Sequence, residues 1–242
     1  MQVFDNEFFN VLCEPFGEYQ TNCYLVFDKN KKEALIIDPG IGASTWVIDS
    51  LQNANAIPLA ILNTHGHFDH VWSNAELSKH FTDIPLLCPY EDAFMLVQDC
   101  FSTGLPNSTP TLLVGAKEKD EICEKTSNTN NLERKNDFAY GDFIITFICY
   151  PGHTPGCSVV IVSHKNSKSA QSKENKVMFS GDFIFHRSIG RSDFPYSSNS
   201  AMKASLEKFL NLQEDMLVFP GHGNSTSVLQ EQNNIPFWLP RL

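Results

Sequence analysis

A dense run of potential metal ligands in residues 64–70, THGHFDH, constrains this chain more than any other stretch. His65, His67, Asp69 and His70 lie there, directly after residues 57–62, whose apolar side chains predict a buried strand. Alternate residues of an extended segment face one side, so His65 and His67 can point together, whereas Asp69 and His70 lie where a helix should begin. Imidazole and carboxylate groups are ligands of zinc and other first-row metals. The motif therefore predicts a metal centre at a strand end, and it suits two adjacent ions better than one.

Three later segments each place one more candidate ligand directly after a predicted strand. His153 lies in residues 151–156, PGHTPG, Asp182 in residues 180–182, SGD, and His222 in residues 220–223, PGHG. Each segment alone is weak evidence, because Pro-Gly turns and Gly-Asp pairs are common without any chemistry. Their shared position at the carboxyl ends of strands predicts that they converge on the same site.

Taken together, these motifs resemble the signature of the metallo-β-lactamase superfamily. The resemblance covers nearly the whole chain, including residues 37–40, IDPG. It implies an α/β fold, a four-layer αββα sandwich in which two packed sheets are covered by helices on both outer faces. It also implies two divalent metal ions, one held by three histidines and one by an aspartate and two histidines, with a second aspartate bridging them. In that order the implied ligands are His65, His67 and His153, then Asp69, His70 and His222, then Asp182.

This ligand set limits both the metal and the reaction. Zinc is expected first, and iron or manganese is accepted by the same mixture of imidazole and carboxylate. Two ions roughly 3.5–4 Å apart lower the pKa of a shared water and polarise a carbonyl, which suits hydrolysis of an acyl bond. Asp69 and Asp182 are the catalytic carboxylates in this scheme, because they hold the ions that carry the water. When the substrate is a thioester, the leaving thiol has a pKa of roughly 8.5, so no separate general acid is needed.

Within the superfamily, the chain resembles the glyoxalase II-like thioester hydrolases through residues 180–185, SGDFIF, and residues 188–195, SIGRSDFP. The resemblance implies cleavage of a thioester such as S-lactoylglutathione to a hydroxy acid and glutathione. It places Arg191 where the family offers a cation to a glutathione carboxylate, and a surface salt bridge is the alternative for that side chain. The expected partner is therefore a small, glutathione-derived thioester.

Other functions remain open on the sequence alone. A persulfide dioxygenase has a similar fold and a related Gly-Arg-x-Asp-Phe segment, but it uses a single iron held by two histidines and an aspartate. Lactonases share nearly the same ligands. A secreted β-lactamase is less expected, since it carries a cysteine where Asp182 stands. The alternative from a different class is a metal-binding domain without catalysis, because a fold does not by itself imply a function.

Length and composition favour one domain. With 242 residues, 42% of them hydrophobic, the chain can form one well-buried core, and we expect a single domain over residues 1–242. Twenty residues follow His222, too few for the carboxyl-terminal helical domain that completes the glutathione site in the better-known glyoxalase II enzymes. The sequence therefore predicts a short form without that domain.

Charge, hydrophobicity and cysteine content predict the partners and the compartment of the protein. A formal net charge of −10 argues against a nucleic-acid partner, because phosphate contacts need clustered lysine and arginine. We expect no membrane span, because no stretch approaches the roughly 20 apolar residues required. The seven cysteines lack CxxC spacing and predict reduced thiols in a cytoplasmic protein. Cys157 is expected to be a buried apolar residue and not a ligand.

Local patterns predict the elements around the motifs. Strands are expected at residues 8–14, 21–27 and 33–38, and helices at residues 42–53 with Ser44 as cap, at residues 68–81 and at residues 200–212. Residues 99–140 read as a loop excursion, and residues 165–176 as a hairpin tip without chemistry. Asp38 ends a predicted strand before Pro-Gly, so it is either a turn former or a group that orients a ligand histidine.

Overall fold

The computed structural model describes residues 1–115, 136–167 and 175–242, and two β-sheets packed face to face form its centre. The first sheet has seven strands that lie side by side in chain order. They are β1 Gln2–Asp5, β2 Phe9–Phe16, β3 Thr21–Asp28, β4 Glu33–Ile37, β5 Ile57–Leu62, β6 Leu86–Pro89 and β7 Leu112–Val114. The strands from β1 to β4 pair antiparallel, and those from β4 to β7 pair parallel.

The second sheet has six strands, in the order β15-β14-β11-β10-β9-β8. They are β8 Asp137–Tyr140, β9 Phe143–Cys149, β10 Ser158–His164, β11 Lys176–Gly181, β14 Leu217–Pro220 and β15 Thr226–Ser227. Strands β11 and β14 pair parallel, whereas the other neighbours are antiparallel. A small hairpin, β12 Ile184–Phe185 with β13 Ser188–Ile189, lies between β11 and β14 along the chain.

Helices cover the outer face of each sheet. The α-helices of the described residues are α1 Ser44–Ala54, α2 Phe68–Val71, α3 Asn74–His80, α4 Ala93–Val97, α5 Asn199–Leu210 and α6 Val228–Trp238. The first four pack on the first sheet, and the last two pack on the second sheet. A third apolar cluster, drawn from both sheets, fills the space between them. These four layers confirm the predicted αββα sandwich.

Strand β3 shows how the sequence produces this layering. Every residue of the strand is buried, although only alternate side chains face the same way. Tyr24 and Val26 lie in the cluster between the sheets, whereas Cys23, Leu25 and Phe27 pack against the helices. A strand with two buried faces needs a continuous apolar run, and β3 has one.

The helix predicted over residues 68–81 is wrong in one respect, because it divides into α2 and α3. The backbone N–H of Ser73 donates to the carbonyl of Pro39 at 3.0 Å, and its hydroxyl donates to the carbonyl of Gly40 at 2.6 Å. These tertiary bonds replace the helical bond at this position. The capping role predicted for Ser44 is also wrong, since its hydroxyl donates to Glu76 at 2.5 Å.

Two other expectations need correction or lie partly outside the described residues. The predicted excursion over residues 99–140 contains two strands, β7, which pairs with β6, and β8, which pairs with β9. Its residues 116–135 lie outside the described ranges. The predicted hairpin tip over residues 165–176 includes residues 168–174, which also lie outside them. Helix α6 was not predicted at all.

Strand direction brings the candidate ligands to one edge of the sandwich. Strands β4 and β5 run parallel, as do β11 and β14, so within each pair the carboxyl ends meet at the same edge. An isolated antiparallel bridge between Thr21 and His222 joins the two sheets there. The N–H of Asn22 also donates to the carbonyl of Gly221 at 2.7 Å. The site is therefore built where the two sheets are joined.

Candidate metal centre

The structure brings all seven predicted ligand side chains together at the edge where the sheets join. His65 and His67 lie in the short connection between β5 and α2, and Asp69 and His70 lie inside α2. The remaining three come from the second sheet. They follow β9, β11 and β14 respectively, and are His153, Asp182 and His222.

The predicted ligands form two groups whose ligand atoms are close enough to share an ion. In each group the three ligand atoms lie within 4.8 Å of one another. The first group is His65, His67 and His153, and the second is Asp69, His70 and His222. This division matches the assignment that the family resemblance implied.

Asp182 lies between the two groups and contacts both. Its Oδ2 is 3.4 Å from Nε2 of His153 and 3.3 Å from Nε2 of His222, and its Oδ1 is 3.2 Å from Nε2 of His70. Ligand atoms bound to one tetrahedral ion at 2.0–2.2 Å are separated by roughly 3.3–3.6 Å. The spacing around Asp182 therefore suits a carboxylate that has one oxygen on each of two ions or shares one between them.

The histidine rings are oriented by bonds on the side away from the centre. Nδ1 of His70 lies 3.1 Å from Oδ2 of Asp38, and Nδ1 of His65 lies 3.0 Å from the Thr64 hydroxyl, which itself donates to Asp38 at 2.6 Å. Because the Thr64 hydrogen is used in that bond, its oxygen accepts from His65. Each ring then carries its proton on Nδ1 and presents Nε2 as a lone pair.

Backbone carbonyls orient two further rings in the same way. Nδ1 of His153 lies 2.8 Å from the carbonyl oxygen of Arg191, and Nδ1 of His222 lies 2.9 Å from that of Tyr19. A carbonyl only accepts, so the proton is on Nδ1 in both cases. Ligating histidines in metalloproteins characteristically donate their second nitrogen to such groups.

The inward-facing atoms of the centre fit a bound cation. Among the described residues, several buried polar atoms have no hydrogen-bond partner, and five of them meet here. They are Nε2 of His65, His67, His70 and His153, and Oδ1 of Asp182. Buried polar groups are rarely left without partners, and five lone-pair atoms facing one point have no natural donor in the protein. Divalent metal ions satisfy this donor set.

Charge and burial set the ionisation of these groups. Burial and the neighbouring imidazoles lower the pKa of His67 to about 3 and hold that of His65 well below its ordinary value. Burial raises the pKa of Asp182, but the facing His70 and His222 outweigh it and hold the pKa well below its usual range. Neutral His65 and His67 thus lie beside an ionised Asp182, which are the forms that bind metal.

The histidines of the second group respond differently. Burial lowers the pKa of His70, but Asp182 and Asp69 outweigh it and raise the pKa overall. The pKa of His222 is raised in the same way, with Asp182 as the main opposing charge. These carboxylates attract positive charge, so protons and metal ions compete for this half of the centre.

Comparison with known proteins identifies the family. The model for the family described as the metallo-beta-lactamase superfamily matches residues 16–222. The chain belongs to the metallo-β-lactamase superfamily. It is accordingly a metal-dependent hydrolase, and its groups of histidine and aspartate side chains fit divalent metal ions.

Several members of the superfamily resemble the chain over almost its full length. The hydroxyacylglutathione hydrolase GloC of Haemophilus influenzae is 31% identical, and the match covers 94% of this chain and 97% of that protein. The crystal structure of the BLEG-1 B3 metallo-beta-lactamase is 30% identical with a TM-score of 0.71, covering 94% and 98%. The structure of TTHA1623 in a di-iron-bound form is 29% identical with a TM-score of 0.66, covering 93% and 99%.

Two residues outside the ligand set were only partly anticipated. Asp38 combines both roles that the sequence left open, because it adopts a left-handed backbone conformation with φ of 47° and also orients His70 and Thr64. Thr21 gave no signal in the sequence, yet its hydroxyl donates to Oδ2 of Asp69 at 2.7 Å. The same oxygen lies 3.6 Å from Nε2 of His70 and 3.5 Å from Nε2 of His222, so this bond holds the oxygen that faces the second group.

A cavity of about 550 Å³ opens over the candidate ligands. Aromatic rings form most of the wall that the ligands do not. They are Tyr19, Phe68, Phe101, Phe185 and Phe194. Ring centroids of Phe101 and His67 are 5.3 Å apart, and those of Phe194 and His153 are 6.0 Å apart. The candidate metal centre is thus reached through an apolar cavity.

Arg191 lines the cavity, but its guanidinium already has a partner. Its Nε and a terminal nitrogen donate to the two oxygens of Asp193 at 2.9 and 2.8 Å, and the side chain is 64% exposed. The guanidinium also lies 4.1 Å from the centre of the Phe194 ring. Asp193 uses two of the five guanidinium N–H donors, so a bound anion would use the remaining donors or displace Asp193. The sequence did not reveal that the carbonyl of the same residue holds His153.

A further group of ligand-type side chains lies at the far end of β3. It consists of Asp28, Asp142 and His164, and it is also buried. Every member already has a protein partner, since His164 contacts Asp28 at 3.1 Å and two lysines, Lys31 and Lys165, each contact Asp142 at 2.5 Å. The lysines hold the pKa of Asp142 below its ordinary value. This cluster is a satisfied ion-pair network.

Cys157 is fully buried in the cluster beneath α5 and α6, as predicted, and burial raises the pKa of its thiol well above the ordinary value. In the described residues, no helix combines the length and the apolar character needed to cross a bilayer.

Proposed function

We propose that this superfamily member hydrolyses thioesters, with a glutathione thioester such as S-lactoylglutathione as the substrate, and that it uses two divalent ions. The reaction consumes one water and yields a carboxylic acid and a thiol. The observation that carries the proposal is Asp182, an aspartate between two complete groups of ligand atoms. We propose the six residues of those groups, together with Asp182, as the metal ligands, with zinc as the expected metal and iron or manganese as alternatives.

The ions and the side chains have separate tasks in this proposal. Two divalent ions bound at these groups would lower the pKa of a shared water and polarise the substrate carbonyl. Asp69 and Asp182 hold negative charge at the centre, and the Thr21 hydroxyl fixes the rotamer of Asp69. Outer bonds to Nδ1 keep the lone pairs of four histidines directed inward. The aromatic wall excludes bulk water from the acyl group.

The composition of the cavity wall favours a thioester over an amide. In the described residues that line the cavity, the carboxyl and imidazole groups are all proposed ligands. The wall therefore offers no spare carboxyl or imidazole group to protonate an amine leaving group. A thiolate needs none, because its parent thiol has a pKa of roughly 8.5.

Relatives support the same reaction and two-ion site. The Haemophilus influenzae relative is named a hydroxyacylglutathione hydrolase, and the TTHA1623 structure contains two iron ions. We propose that Arg191 pairs with a carboxylate on the thiol part of the substrate after release from Asp193. Solvent screens an exposed ion pair and leaves it weak, so this exchange costs little.

We also propose that residues 1–242 act as one domain in the cytoplasm. The described residues after His222 form β15, α6 and a final 3₁₀ turn, and α6 packs on the second sheet, so none of them covers the cavity as a separate helical unit. Each cysteine in the described ranges is a free thiol, which fits a reducing compartment.

A substrate panel with protein of measured metal content tests the proposal. Purified protein is assayed on S-lactoylglutathione, a small neutral thioester, a lactone, a β-lactam and glutathione persulfide. We expect thiol release from the thioesters at two ions per chain. Full activity on the persulfide with one iron, or lactone or lactam opening without thiol release, would contradict the thioesterase assignment. Metal-replete protein inert on the whole panel would favour a binding domain.

A further inference from the structure

A buried carboxylate outside the ligand set connects the two segments that carry the first ligand group. Asp92 has no exposed surface. Its Oδ2 accepts from the N–H of Gly66 at 3.0 Å and from the hydroxyl of Thr154 at 2.6 Å. Its Oδ1 accepts from the N–H of Gly156 at 2.6 Å. Gly66 lies between two candidate ligands, and Thr154 directly follows a third.

Ordinary structural roles do not explain this side chain. Asp92 precedes α4, where an aspartate commonly caps the helix, but it makes no capping bond there. It forms no ion pair in the described part of the chain; the donors to its oxygens are backbone amides and a hydroxyl. A buried carboxylate without an opposing charge is costly, so its three donors must compensate for lost hydration.

Two glycines allow the close approach of Asp92. A β-carbon at Gly66 would lie 2.8 Å from the carbonyl oxygen of Asp92, and one at Gly156 would lie 2.8 Å from its carboxyl carbon. Contacts this short do not occur between real β-carbons and fixed neighbours. Gly66 of the HGH motif therefore leaves room for the backbone of Asp92, and Gly156 of the PGHTPG motif leaves room for its carboxylate.

His67 depends on this arrangement more than the other ligands do. Four candidate histidines have a hydrogen bond that fixes Nδ1, whereas His67 makes none among the described residues and is flanked by aromatic and imidazole rings. Its position follows from the backbone at Gly66, which Asp92 holds. Asp92 makes no comparable contact with the residues of the second group.

We propose that Asp92 is a positioning residue for the first metal ion, because it fixes the backbone on both sides of the gap that His67 and His153 span. It touches neither ion nor substrate. The inference rests on the proposed two-ion site, but it does not depend on the identity of the substrate.

Metal titration of site-specific variants tests this role. In a His222→Ala background, which disables the second group, Asp92→Asn should weaken Zn²⁺ binding by roughly 10- to 100-fold, the usual effect of losing an outer partner. In a His67→Ala background, which disables the first group, the same change should alter Zn²⁺ affinity by no more than about twofold. Affinities come from competition with a chelator, and the Co²⁺ absorption spectrum reports distortion of the first site directly.

Asp28→Asn is the matched control. Asp28 is also buried and accepts two backbone N–H bonds, from Asn30 at 2.7 Å and Lys31 at 2.9 Å. It ends the strand that begins at Thr21, so it lies roughly 23 Å from the centre by strand rise. General loss of stability should therefore affect both variants, whereas loss of first-site affinity should affect only Asp92→Asn.

The possible results separate the alternatives. Equal losses in both backgrounds, or a loss no greater than that of Asp28→Asn, would overturn the positioning role. Failure of the unmodified chain to bind a second ion would refute the two-ion site itself. If Asp92→Asn does not fold, Thr154→Val removes one donor at nearly constant volume; a several-fold loss at the first site supports the role, and an unchanged spectrum and affinity overturn it.

Discussion

Replacement of Asp38 by asparagine tests whether hydrogen-bond direction controls metal affinity. Asparagine has almost the same shape as aspartate and also tolerates the left-handed backbone conformation found here, φ of 47°. The substitution therefore leaves the backbone unstrained, which alanine would not. It changes only the donor and acceptor pattern around Thr64 and His70.

Either orientation of the new amide places two donors together. The wild-type carboxylate accepts from the N–H of Thr64 at 2.8 Å through one oxygen, and through the other it accepts from the Thr64 hydroxyl and from Nδ1 of His70. If the NH₂ group of the asparagine takes the place of Oδ2, it faces the N–H of His70, and neither group can accept from the other. It also turns the Thr64 hydrogen toward His65, which favours a proton on the Nε2 atom that should bind metal.

We expect each ion to bind roughly 10- to 100-fold more weakly, or by about 1.4–2.8 kcal/mol. The effect should reach both ions, because His65 belongs to the first group and His70 to the second. Chelator competition on metal-free protein measures the two affinities, and Asp142→Asn serves as a control at the far end of β3. Wild-type affinity for both ions in folded Asp38→Asn would refute the tautomer argument.

Three further predictions address the centre, the fold and the substrate. Asp182→Ala should weaken the binding of both ions. It should reduce thioester hydrolysis by more than the roughly 10- to 100-fold loss expected when a hydrogen-bond partner of a ligand is removed. Near-normal turnover in folded protein would contradict the assignment of Asp182 as a ligand of both ions. Lys31 and Lys165 lower the pKa of Asp142 in the folded state, so the stability that these ion pairs provide should be complete above the unfolded pKa of 3.8 and should disappear as pH falls through the folded pKa. The difference in unfolding free energy between wild type and Asp142→Asn measures this contribution. A difference that does not change with pH would contradict the prediction. Arg191→Ala should raise KM for glutathione thioesters more than it lowers kcat, and should leave a small neutral thioester unaffected; equal losses on both substrates would indicate a structural role.

The family resemblance implied the fold and the division of the candidate ligands into two groups. Their convergence could be expected because each ligand-bearing segment directly follows a strand, and strand direction brings those ends to one edge. Asp92 could not be predicted in this way. Its partners Gly66 and Thr154 are 26 and 62 residues away along the chain, so no local pattern connects them.

Local patterns also failed where tertiary contacts override them. The break between α2 and α3 depends on bonds from Ser73 to another loop, which the helical spacing of residues 68–81 does not show. Helix α6 was missed because Glu231 lies on its buried face between Val228 and Ile235, and Pro236 follows. The carboxylate is satisfied by the N–H of Arg187 at 3.0 Å, a contact invisible in the apolar pattern.

Asp38 and Asp92, the two carboxylates that hold the backbone of the THGHFDH motif without being ligands, explain how this short motif is kept in one conformation. The N–H groups of Thr64 and Gly66 flank His65, and Asp38 binds the first whereas Asp92 binds the second. The segment between them is thus fixed by side chains from two different connections of the first sheet, and His65 needs only one outer bond to be directed. Metal binding at this centre is therefore a property of the packed sandwich, because the residues that position the ligands belong to elements that only the complete fold brings together.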